Sequence, residues 1–343
     1  MARSGQITPA YDPIVVNNPA PSSITIRHKA KKEVCSDEIY STHFINRNQR
    51  AIICLSTQES PTRFLDASSF NLTLNRECGY DLAFCDQNSY WAYSVDDSRL
   101  PGTSLNGTAS NKSHVVIGDY TTNARYRILR GPGSRALCFN PEGSIIAITD
   151  ARCRLGIVDT TRTPGQHMNT IITSHTEPIT HAIFAPDSTA IITLSEDGHI
   201  RVTDPYTREP IAKLDTGSTK KPLFLGISPD GEVVVSIWGD YVFRWNYITS
   251  AVESYSLPSR RSKEGVPIAL SPDCRFIACQ THYGVDVGDA HNGTILFTIH
   301  FQAGFVTSAA FSATGNYLAL SKAVASSGLR TTKSTVDVWE LLF

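Results

Sequence analysis

The chain has 343 residues, enough for two ordinary domains or one large all-β domain, and its 41% hydrophobic content supports a real core. With 18% charged residues and a formal net charge of −1, the composition argues against a surface built to coat nucleic acid or another polyanion. No apolar run approaches the roughly 18 residues that span a bilayer, and the start MARSGQITPAYDP lacks the apolar segment of a secretory signal. Cytoplasm or nucleus is the expected location, and the four Asn-x-Ser/Thr sites (Asn71, Asn106, Asn111, Asn292) read as chance there. Eight cysteines without a Cys-x-x-Cys pair predict buried or half-buried free thiols.

In chain order, residues 1–21 form an N-terminal extension, and Ser22–His28 (SSITIRH) alternates as a strand with no sequential neighbour. A corner FIN at Phe44 then leads to an apolar run, Ala51–Leu55, and to Asp66 near the end of a further strand. FCDQN at Phe84 leads to Tyr90–Tyr93, a long Ser/Gly/Thr/Asn-rich loop over 94–113, and Asp119. FNPEG at Phe139 leads to Ile145–Ile148 and Asp159, and FAPDS at Phe184 to Ala190–Leu194, a Glu-Asp-Gly turn and Asp204. ISPDG at Ile227 leads to Val233–Ile237 and Asn246. The connection 256–265 carries Arg260, Arg261 and Lys263, which read as a solvated loop. LSPDC at Leu270 leads to Phe276–Cys279 and Asp289, with Cys274 and Cys279 expected on either side of a corner in different environments. FSATG at Phe311 leads to Tyr317–Leu320, a second polar loop over 321–334, and Glu340.

The apolar anchors recur at intervals of 40, 55, 45, 43, 43 and 41 residues, so seven copies share one order of corner, strand and closing polar residue. A period near 43 with three or four short strands per copy is the signature of propeller blades. The closing Asp, Asn or Glu repeats because each blade needs the same turn, where such a side chain accepts from backbone N–H groups. These residues are therefore architecture and not acid–base pairs.

On these residues the chain resembles a seven-bladed WD40 propeller over nearly its whole length, 22–343. Ile227–Gly231 matches the family's corner, and Asp197 with His199–Asp204 matches its turn and third strand. No Trp-Asp dipeptide occurs: Trp245 and Trp339 hold the Trp place but precede Asn246 and Glu340. The family's hydrogen-bonded tetrad would comprise His175, Thr193 or Ser195, and Asp197, with Thr203 in place of Trp. A propeller must join its ends or expose a sheet edge. The last copy lacks one strand, so Ser22–His28 is expected to complete blade seven from outside Thr335–Leu341.

The resemblance implies a non-catalytic scaffold that binds a protein or peptide on the face carrying the 94–113 and 321–334 loops. The alternative is a small-molecule site or enzyme at the mouth of the central channel. The short turns of the long-loop face place Arg152, Arg154, Trp238, Tyr241, His282, Tyr283 and Phe305 as partner-binding candidates, with Glu196 and His199 beside them. No catalytic motif is found, and no metal or cofactor is expected. His175 and His181 bracket a strand start, where a structural hydrogen bond is expected in place of metal ligation. Neither a nucleic acid nor a membrane span is anticipated, and the chain on its own is expected to be monomeric.

Overall fold

The computed structural model describes residues 15–17, 25–35, 39–47, 50–57, 62–67, 69–74, 80–85, 87–96, 113–120, 122, 124–130, 135–149, 154–160, 169–171, 174–257, 266–301, 305–325 and 332–342. Every regular element among them is a strand. Two strands precede the repeats, β1 (Val15–Asn17) and β2 (Thr25–Cys35). The first sheet holds β3 (Ile39–Arg47), β4 (Arg50–Thr57), β5 (Arg63–Asp66) and β6 (Leu72–Leu74). The second holds β7 (Tyr80–Cys85), β8 (Tyr90–Asp96), β9 (Ser113–Asp119) and β10 (Arg125–Arg130). The third holds β11 (Arg135–Phe139), β12 (Ile145–Thr149), β13 (Leu155–Asp159) and β14 (Asn169–Ile171). The fourth holds β15 (Ile179–Phe184), β16 (Ile191–Ser195), β17 (His199–Thr203) and β18 (Pro210–Asp215). The fifth holds β19 (Pro222–Ile227), β20 (Val233–Trp238), β21 (Tyr241–Asn246) and β22 (Ala251–Ser256). The sixth holds β23 (Val266–Leu270), β24 (Phe276–Thr281), β25 (Gly284–Asp289) and β26 (Ile295–His300). The last holds β27 (Phe305–Phe311), β28 (Tyr317–Ala325) and β29 (Thr332–Leu342).

Six of these sheets are four-stranded, and the last of them takes β2 as its fourth strand, outside β29. The sixth sheet departs from a regular blade by a fifth strand, because β1 pairs outside β26. Middle strands such as β16 are buried on both alternating faces, whereas the outer strand β18 alternates exposed and half-buried residues. That gradient arises because each sheet is sandwiched between neighbours near the inside of a ring and meets water at its rim. The cores lie between sheets. The first and second share Ile45, Phe64, Trp91 and Val116, and the fourth and fifth share Ile192, Leu194, Trp238 and Trp245. The last and first share Ala319, Val336 and Val338 with Ile39, Ile53 and Leu55. The fold is an all-β propeller.

Several boundaries differ from expectation. The strand placed at 22–28 begins at Thr25 and runs on to Cys35, with Thr25 opposite Leu342 and Glu33 opposite Thr335. The 94–113 and 321–334 loops are shorter at their bases, because ladders continue to Asp96 opposite Ser113 and to Ala325 opposite Thr332. Their remaining parts, 97–112 and 326–331, lie outside the described residues, as do Arg152 and the basic residues Arg260, Arg261 and Lys263. Residues 15–17, assigned to the extension, form a strand.

The corners behave as one motif. In ISPDG the Gly231 N–H donates to the Ser228 carbonyl at 2.8 Å, and Ser228 Oγ both contacts Asp230 Oδ1 and accepts from the Val233 N–H at 2.9 Å. The fifth corner position takes a left-handed conformation whether it is Gly231 (φ 80°), Ser188 (φ 62°) or Cys274 (φ 58°). Replacing Gly231 by Val should therefore cost about 1–3 kcal/mol through backbone strain. A Cβ there would also sit 3.3 Å from Pro186 Cδ. Urea unfolding checks this, and an unchanged midpoint would contradict it.

Candidate functional site

Strand direction decides which residues share a face. In each antiparallel sheet the start of the inner strand and the turn between the second and third strands lie at the same end. The Trp238–Tyr241 and Thr281–Gly284 turns and the starts of β23 and β27 therefore belong to one face of the fifth, sixth and last sheets. That face presents Tyr241, Val266, Tyr283 and Phe305, four of the eight large hydrophobic side chains exposed among the described residues. Tyr283 is 68% exposed, and its ring meets the exposed His282 edge-on with centroids 4.8 Å apart. Short turns hold these groups. The Phe301 N–H donates to the Tyr283 carbonyl at 2.8 Å, and the Leu257 N–H to the Asp240 carbonyl at 2.7 Å.

Trp238, expected on this rim, is fully buried at 0% exposure. The alternation of β20 puts it on the side of Val234 and Ser236, facing the fourth sheet, and its Nε1 donates to Ser236 Oγ at 3.0 Å. It is a spacer between sheets. Arg154 is exposed at the start of β13, two sheets away from Tyr241, so the structure does not join it to the aromatic group. Val266 was not foreseen. Its signal is a β-branched residue beginning a strand directly after a polar connection.

Beneath this face, at the end of the core between the sixth and last sheets, lies a buried charge cluster. Asp337 is completely buried and contacts His28 Nε2 at 3.1 Å through Oδ1 and the nearly buried Lys322 ammonium through Oδ2. Lys322 Nζ also stands 4.2 Å from the centre of the Phe301 ring. Burial opposes ionisation of Asp337, but the His28 hydrogen bond and the Lys322 charge outweigh it and hold the carboxyl below the usual range.

The fourth sheet carries the anticipated hydrogen-bonded set. His175 Nδ1 donates to Asp197 Oδ2 at 2.9 Å, and its Nε2 faces Thr193 Oγ1 at 3.0 Å. Asp197 also accepts from the backbone N–H groups of Thr176 and His199. Burial lowers the pKa of His175, with Asp197 offsetting only part of the effect, so a neutral ring donating to a carboxylate fits both groups. The set ties the start of the fourth sheet to its turn. Thr203 is buried in the tetrad's Trp place.

Five of the seven closing polar residues are seen to cap turns as expected. Asp66, Asp119, Asp204, Asn246 and Asp289 each accept backbone N–H groups two or three residues onward, at 2.6–3.1 Å. Glu340 differs. Its sheet takes its outer strand from β2, so there is no such turn, and Glu340 instead meets Lys29 Nζ at 2.9 Å.

Cys274 and Cys279, expected in different environments, both pack against the core between the fifth and sixth sheets, where burial pushes each thiol up to about 12. Cys138 also carries a free thiol. Among the described residues no three His, Cys, Asp or Glu side chains converge as a metal ion would require, and no helix is long and apolar enough to cross a membrane.

Residues 165–204, spanning the end of the third sheet and the first three strands of the fourth, match the family model "WD domain, G-beta repeat". This is a WD40-repeat protein. The match covers the copy that carries the His175–Asp197 set, and the same corner hydrogen bond recurs in the third, fifth, sixth and last sheets of this WD40 propeller. No curated protein matches the chain.

Proposed function

We propose that this WD40 propeller is a non-catalytic scaffold that binds a protein or peptide on the face presenting Tyr241, Val266, His282, Tyr283 and Phe305. The observation that carries this reading is the concentration of exposed aromatic and β-branched side chains on one face of three successive sheets, held by short hydrogen-bonded turns. Rigid aromatic anchors lose little side-chain entropy on binding, which is why such residues dominate hot spots. The 97–112 and 326–331 connections leave from the same end of their sheets and would add surface around these anchors. We further read the sheets as seven blades of one ring, with β2 completing the last. The pairing of β2 with β29 and the core shared by the last and first sheets support that reading.

Alanine at both Tyr241 and Tyr283 should weaken partner capture at least about 30-fold, as the loss of one hot spot worth roughly 2 kcal/mol implies. Circular dichroism should be unchanged, because both side chains project from turns. Quantitative affinity purification compares the two chains. Equal recovery of every partner by the parent and the double variant would overturn the proposed face.

A further inference from the structure

We infer that the outer edge of the sixth sheet, β26, is a strand-addition site for an extended, uncharged, apolar peptide, covered in this structure by the chain's own β1. The argument begins with how the other outer strands are protected. An open sheet edge invites pairing with foreign strands unless it is short, charged or interrupted by proline. Here β6 and β14 are three residues each. β10 (RYRILR) carries three arginines, and β18 (PIAKLD) has Pro210, Lys213 and Asp215. β22 (AVESYS) has Glu253, and β2 carries five charged side chains between Arg27 and Glu33. β26 reads ILFTIH, six residues with no carboxylate, lysine, arginine or proline. Phe297 and Ile299 are buried in the core shared with the last sheet, and Thr298 donates to Asp286 Oδ1 at 2.6 Å, so the strand is held straight and rigid. Such an edge is a template.

β1 is what occupies it. Val15 lies opposite Ile299, Val16 opposite Thr298 and Asn17 opposite Phe297, antiparallel. Among the described residues, three of the six β26 residues are paired in this way. The sequence bounds how far such a cover can run. Continuing the register would set Pro13 beyond His300 and Pro19 opposite Ile295. Proline supplies no N–H to a ladder, so the cover cannot run past residue 14 on one side or residue 18 on the other. The same limit applies to β1 of a second copy, which would gain no pair that the chain's own β1 lacks. A partner's extended segment free of proline can pair along the whole of Ile295–His300. It would displace a short competitor that holds its place chiefly through its tether to β2.

The probe is a fluorescent peptide of residues 13–20 with both Pro13 and Pro19 replaced by threonine, and the control is the same peptide with its prolines. The full-length chain should bind the threonine peptide at least about tenfold more tightly than the control. Peptide addition should also slow hydrogen exchange at residues 295–300. The full-length variant Val15→Pro/Val16→Pro, which cannot keep its own cover, should bind the threonine peptide at least about tenfold more tightly than the parent. Equal binding of the two peptides, or equal binding by the two chains, would overturn the inference. Self-association of the variant in sedimentation, without peptide binding, would do so as well, by assigning the edge to a second copy. The hydrogen-exchange arm uses the unaltered chain, so protection at other strands and none at 295–300 would overturn it even if the variant fails to fold.

Discussion

Replacing Asp337 by alanine should destabilise the protein by about 3–5 kcal/mol, the cost of leaving a buried partner charge uncompensated. The stranded group is Lys322, whose side chain is 7% exposed and whose ammonium stands 4.2 Å from the centre of the Phe301 ring. His28 would also lose its acceptor. Replacing both members, as Lys322→Met with Asp337→Leu, should recover most of the loss, because the pair contributes little beyond a well-packed apolar substitute. Chemical unfolding of the two variants and the parent decides the matter. A single variant as stable as the parent would mean that Lys322 escapes to solvent without cost.

The same carboxylate predicts an acid limit. Its folded pKa is depressed, so the stability it provides is fully present above the ordinary aspartate value, about 3.9, and is lost as pH falls through the lower folded value. The melting temperature of the parent should therefore drop more steeply below about pH 4 than that of the Lys322→Met/Asp337→Leu variant. Parallel pH profiles would contradict this assignment.

Deleting residues 1–35 should have an effect comparable with the whole stability of a domain, roughly 5–15 kcal/mol. The deletion removes β2 and bares β29, an eleven-residue strand that contains the buried Trp339. It also strips away the His28 ring, 4.7 Å from the Trp339 ring, and the Lys29 partner of Glu340. An exposed edge of that length pairs with other chains, so aggregation on size exclusion is the expected readout. Deleting residues 1–12 should leave melting unchanged, because it spares both β1 and β2. A 1–35 deletion that stays monodisperse and melts like the parent would overturn the role given to β2.

Much of the fold was legible because it rests on local chemistry repeated many times. A corner such as ISPDG makes its own hydrogen bonds within five residues, and a closing Asp caps the turn that follows it, so each leaves its mark wherever it recurs. The set of His175, Thr193 and Asp197 was readable for the same reason, since all three lie within one copy. Among the candidate site residues, Tyr241, His282, Tyr283 and Phe305 are exposed on one face, as their places in turns or at a strand start suggested. Trp238 occupies the end of a strand beside the same turn, and there a one-residue difference decides between solvent and core.

By itself the sequence determined the β class, the period, and the corner and turn chemistry, because these follow from side-chain period and backbone hydrogen bonding along neighbouring residues. The tertiary structure alone decided what each strand faces. Asp337 alternates with Val336 and Val338 and so shares a side with Trp339, but only the packing of the sixth sheet and β2 against that side turned it into a buried ion pair with Lys322. Likewise, the apolar character of ILFTIH is plain in the sequence, whereas its standing as an edge covered by residues 15–17 is not. The 277 positions between Asn17 and Ile295 leave no local trace of the pairing. Register between distant strands is set by shape and burial in the assembled ring, and no short-range pattern encodes it.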